Sequence, residues 1–61
     1  MANLTTKELT AIEDQLGLEQ MLIKKYHSVA GMTSDPQLKS KCEQIASKHQ
    51  QHYDKLLTHL N

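Results

Sequence analysis

One cluster of helix-breaking residues, "GMTSDP" at positions 31–36, divides this 61-residue chain into two stretches that share one rhythm. In the first, apolar residues fall at Leu9, Ile12, Leu16, Ile23, Tyr26 and Ala30, spaced three and four apart with position 19 filling the one gap. In the second they fall at Leu38, Cys42, Ile45 and Leu56, and positions 49, 52 and 59 complete the same spacing. A three-four alternation places side chains on one helix face, so each stretch reads as a helix with a buried seam. The break is too short for anything but an antiparallel return. The sequence thus predicts an all-α chain, 1–61, folded as one two-helix antiparallel hairpin: helix 1 about 6–30, a turn at 31–35 and helix 2 about 36–60.

The ends of both helices carry local signals. Thr5 followed three residues later by Glu8 is the capping-box pattern, with Leu4 and Leu9 placed as a hydrophobic staple across it. Gly31 suits the C-terminal cap of helix 1. Asp35 before Pro36 gives an N-cap and a first helical residue, although Ser34 could cap instead. Gly17 falls inside helix 1 and costs about 1 kcal/mol relative to Ala; it either permits close helix approach or is a tolerated imperfection.

Two helices alone cannot enclose a core. Leu18, Leu22 and Val29 flank the first seam and Ala46, Tyr53, Leu57 and Leu60 the second, so each apolar face is wider than a coiled-coil stripe. The chain has no Phe, no Trp and one cysteine, so neither large aromatics nor an internal disulfide can make up for its size. Two hairpins related by a two-fold axis would close a four-helix bundle, which makes a homodimer the expected state.

Charge narrows the partners. Seven lysines balance seven acids, giving a formal net charge of +0, so the chain shows neither the basic excess nor the stripe expected of a nucleic-acid binder. No apolar run is long enough to span a bilayer, and the polar start "MANLTTKEL" lacks the apolar centre of a signal peptide. No nucleic acid, no membrane and a cytoplasmic location are the expectations.

The seam residues that are not apolar carry the functional information. Glu19 interrupts the helix 1 seam, while His49, His52 and His59 lie on that of helix 2. Glu19 lies about eleven residues before the turn, and eleven residues into helix 2 is near Ser47. At 1.5 Å per residue, Glu19 and His49 fall within about one turn of each other. His49 and His52 are i and i+3 on one face. Glu19, His49 and His52 are therefore the predicted metal ligands, and imidazole with carboxylate suits a divalent transition metal such as Fe, Zn or Mn. A dimer would gather two Glu and four His. The competing reading is a hydrogen-bonded polar layer that fixes register between chains.

Other chemistry-bearing residues take ordinary roles. His59, about two turns beyond His52, belongs to the end of the bundle. Cys42 lies about 10 Å along the axis from His49, too far to share its site, and reads as a buried apolar thiol. Tyr26 and Tyr53 fit boundary packing. Lys24, Lys25 and His27 read as solvated surface.

A Glu midway along helix 1 and a ligand-x-x-His pair on helix 2 resemble half of a ferritin-like four-helix bundle, whose halves each supply one Glu and then Glu-x-x-His. Glu19 takes the first role and His52 the last, while His49 stands where that superfamily has its second Glu. The phrases "LTTKELTAIEDQLGLEQMLIKKY" and "DPQLKSKCEQIASKHQQHYDKLLTHL" further resemble small clostridial and bacillar proteins related to the spore coat F family, over nearly the whole chain. The resemblance implies a ferritin-like half-bundle, a structural or assembly role without enzymatic activity, a location in the spore coat and other coat proteins as partners. Bridging carboxylates are what stabilise a dinuclear ferric centre, so His49 weighs against the alternative of a minimal di-metal (iron or manganese) oxidoreductase. A metal-free dimerisation module that recruits another protein is the third reading.

Overall fold

A computed structural model describes residues 4–60; Met1–Asn3 and Asn61, part of the expected 1–61 unit, lie outside the described residues. Two helices run side by side, α1 over Thr6–Met32 and α2 over Pro36–Leu57, with a final 3₁₀ turn at Thr58–Leu60. The Cα atoms span 46 × 15 × 11 Å, the shape of one antiparallel hairpin. No described helix is long and apolar enough to cross a membrane.

The caps explain where the helices start. Thr5 is extended and its hydroxyl accepts the Glu8 N–H at 3.1 Å, while the Glu8 carboxylate accepts the Thr5 N–H at 3.0 Å, so the reciprocal box forms as expected. The Thr5 N–H, and next the Thr5 hydroxyl donating to the same carboxylate at 3.0 Å, hold the Glu8 carboxyl below its usual pKa. Asp35, rather than Ser34, caps α2: its carboxylate accepts from the N–H groups of Gln37 at 2.9 Å and Leu38 at 3.3 Å. Pro36 follows at the first helical position, where its missing N–H costs nothing.

The end of α1 departs from expectation. Gly31 does not cap the helix; it lies inside it, with no positive φ among the described residues, and α1 runs on to Met32. The turn shrinks to Thr33–Asp35. Thr33 ends the helix with an extended backbone, donates its N–H to the Val29 carbonyl at 3.1 Å and accepts the Asp35 N–H on its hydroxyl at 3.1 Å. A left-handed glycine cap suits a chain that turns back through that residue. Here the chain leaves straight into an extended Thr33, and no such cap is required.

The interior is narrow. Ala30, Cys42, Ala46 and Glu19 are the buried residues among those described, with Ala46 fully covered. Cys42 is the buried thiol expected. Ala46, expected on the flank, belongs to the centre of the contact, whereas Leu38, expected in the seam, is 45% exposed. Small side chains let helix axes approach closely, and the interface closes over them. Gly17 meets nothing within 4 Å where a Cβ would stand, so it does not serve helix approach within the hairpin.

Candidate metal centre

Glu19 is the midpoint of α1 and carries the buried charge of the hairpin: 5% exposed, on a helix whose neighbouring inward positions are apolar. A buried carboxylate needs partners, since unpaired burial costs several kcal/mol. It has three. Gln15, one turn earlier on α1, donates its side-chain N–H to Oε2 at 2.9 Å. His49 Nδ1 on α2 lies 2.6 Å from Oε1, and His52 Nδ1 lies 3.7 Å from Oε2. The antiparallel register estimated from helix rise thus brings Glu19 and His49 into direct contact. Ligand-type atoms of Glu19, His49 and His52 all lie within 4.8 Å of one another.

The electrostatics favour an ionised Glu19. Its pKa is lowered, first by the Gln15 hydrogen bond and next by that of His49, with burial opposing. The side chain is covered, yet the molecule around it is only two helices thick, so water stays close and the desolvation effect does not win. An ionised carboxylate only accepts, so His49 donates to it from Nδ1. The imidazole is further held by Tyr26, stacked on it at 6.3 Å between centroids and 14° between planes. Tyr26 is thus a support for the site as well as a boundary residue.

His52 is placed differently. Its ring stands edge-on to His49 at 5.8 Å, and its side chain is 60% exposed. It is not the inward seam residue that the spacing implies; it borders an open groove of about 310 Å³ lined by Gln15, Glu19, His52, Lys55, Leu56 and His59. A single hairpin has no third helix to cover that side. His59 joins the groove wall but not the ligand cluster.

Two residues escaped the sequence reading. Gln15 sits four positions before Glu19, a spacing at which a side-chain amide reaches a carboxylate, and that signal was present. Gln20 donates to the Tyr53 hydroxyl at 3.1 Å, a clasp between helices on the side opposite the groove. Only the interhelical register reveals this pair.

The cluster can act in two ways. Ligands about 2.1 Å from a tetrahedral metal are roughly 3.4 Å apart. The 3.7 Å separation of His52 and Glu19 fits that spacing, while the 2.6 Å His49 contact must open and give up its proton. Alternatively Glu19 orients His49 through Nδ1 and Nε2 would be the metal-binding nitrogen, as when carboxylates stand behind metal-bound histidines. Without metal, the same groups form a satisfied polar layer, since no buried side-chain polar atom lacks a partner among the described residues.

No family model and no solved structure matches the chain. A relative does: "Uncharacterized protein YuzM" of Bacillus subtilis (strain 168) is 30% identical over 57 residues, covering 93% of this chain and 70% of the relative. With that identity over most of both chains, the protein belongs to the family of Bacillus subtilis YuzM.

Proposed function

We propose that this protein is a structural or assembly protein in which two hairpins form a ferritin-like four-helix bundle holding a divalent transition metal at Glu19, His49 and His52. The observation that carries the reading is the gathering of three ligand-type atoms within 4.8 Å on two helices, at mid-height of the hairpin. A dimer is supported by area. The chain exposes 4762 Å² at 7.0 kDa, against about 4000 Å² for a compact monomer of that mass. That surface includes apolar side chains a second hairpin could cover, with Leu9, Leu18, Leu38 and Leu57 each at least a third exposed.

The resemblance in sequence supports a place in the spore coat among other coat proteins; the relative's name assigns no role. An oxidoreductase is the weaker reading, because two hairpins would bring two carboxylates and four imidazoles, poor compensation for two ferric ions.

Cobalt(II) titration of the untagged protein tests the metal reading. A visible d–d spectrum that saturates and disappears in Glu19→Ala and His52→Ala is the expected result. Retained dimerisation with no spectrum would leave a polar layer that fixes register, and the metal reading would fall.

A further inference from the structure

The two sides of the hairpin are unequal. One is clasped by the Gln20–Tyr53 hydrogen bond. The other opens into the groove beside His52 and Gln15. On a helix turning about 100° per residue, Ala11, Leu18, Leu22, Lys25 and Val29 fall within about 80° of Gln15, and Asp14 lies at the outer rim beside Lys25. Leu18 on this flank is 46% exposed, and Asp14 and Lys25 are exposed with no ion pair within the hairpin among the described residues.

This flank has a symmetry of its own. Ala11 and Val29 are in line along the helix, Leu18 and Leu22 lie about 40° apart, and Asp14 and Lys25 about 20° apart. All three pairs are centred near residue 20, close to Glu19. The geometry points to a second copy of this chain packing α1 against α1 in antiparallel fashion. Leu18 then meets the other copy's Leu22, Ala11 its Val29 and Asp14 its Lys25, each twice. This inference rests on the homodimer proposed above and adds which helix makes the contact and in which direction.

Charge decides the direction. Among its exposed charges α1 is acidic in its first half, with Glu8, Glu13 and Asp14 against Lys7, and basic in its second, with Lys24 and Lys25. A parallel pair would set Asp14 on Asp14 and Lys25 on Lys25. Charge also decides the helix. Lys55 on α2 lines the groove, and Lys41 and Lys48 continue its heptad row, all three exposed and with no acid three or four residues to either side. A close symmetric α2–α2 contact would bring these lysine rows together, so α1 makes the close contact at the two-fold and the lysine rows lie at the rim of the bundle. The axis then passes beside both Glu19 residues, and each open groove faces the other copy.

Sedimentation analysis of charge variants tests this. Asp14→Lys and Lys25→Glu should each weaken the dimer on the order of tenfold, since each turns two attractive pairs into repulsive ones. The double variant should recover to within about threefold, and Lys24→Glu, on the other face, should change nothing. Lys25→Glu also removes a cation–π contact of 5.9 Å to Tyr26, and recovery in the double variant separates the two effects. Spin labels on Ser34→Cys in a Cys42→Ala background read the direction. Ser34 lies about 21 Å from the centre at residue 20, so antiparallel copies place the labels about 40 Å apart. A monomeric wild-type protein would overturn both the dimer and this inference. A dimer indifferent to the charge variants, or with labels closer than about 20 Å, would overturn this inference alone.

Discussion

Gly31→Ala gives a prediction whose sign decides between two accounts of the hairpin turn. Gly31 lies inside α1 at negative φ, with nothing within 4 Å of the position a Cβ would take. Replacing a helix-interior glycine by alanine lowers the entropy of the unfolded chain at no steric cost, a gain of about 0.5–1 kcal/mol. In a domain of this size 1 kcal/mol moves Tm by about 4–8 °C, so a rise of roughly 2–8 °C is expected. Were Gly31 a left-handed cap, the new Cβ would instead cost about 1–2 kcal/mol and Tm would fall by a similar margin. Thermal unfolding followed by circular dichroism at 222 nm reads the sign, at fixed protein concentration because a dimer's Tm depends on it. Gly17→Ala is the control, being equally open and helical. A fall in Tm for Gly31→Ala beside a rise for Gly17→Ala would refute the straight exit through Thr33.

Asp35→Ala removes the acceptor for two N–H groups at the start of α2; a loss of about 1 kcal/mol is expected, read as a lower denaturant midpoint with an unchanged slope. The pH dependence follows from Glu19. Its folded pKa lies below the ordinary glutamate value of 4.5, so the folded state binds the proton less readily than the unfolded one. The stabilisation is therefore present above pH 4.5 and lost as pH falls through the lower folded value. Acid unfolding should steepen below about pH 4.5 and flatten in Glu19→Gln. Glu8, lowered in the same direction by the capping box, leaves a residual dependence in that variant. An acid transition unchanged by Glu19→Gln would show that this carboxylate is not a stabilising group.

Much of the fold was legible because its determinants are local. The Thr5–Glu8 box and the Asp35–Pro36 start depend on residues within one helical turn, and both are present as read. The meeting of Glu19 with His49 was legible because helix rise is constant and the turn is short, which makes height on an antiparallel pair a matter of counting. What counting could not supply was rotation and closeness. Ala46 takes the centre of the contact and His52 opens to the groove because the helices close over small side chains, and nothing in a three-four spacing says which of two adjacent rows does so. Gly31 misled for a different reason. Glycine is common both just past a helix end and, at modest cost, within one, and the deciding residue was Thr33, whose extended backbone carries no mark in the sequence. The Gln15 contact was legible in principle as an i, i+4 pair, while the Gln20–Tyr53 clasp needed the register first.

The claim at the centre of this account is that Glu19, His49 and His52 hold a metal between two copies of the hairpin. Elemental analysis of untagged protein, purified without chelators and with its mass in solution determined alongside, tests it most directly. A dimer carrying about one or two transition-metal ions is expected, with a metal content that falls to background in Glu19→Ala while the dimer persists. A metal-free protein whose melting temperature is unmoved by added Fe, Zn or Mn would contradict it and make the cluster a polar layer.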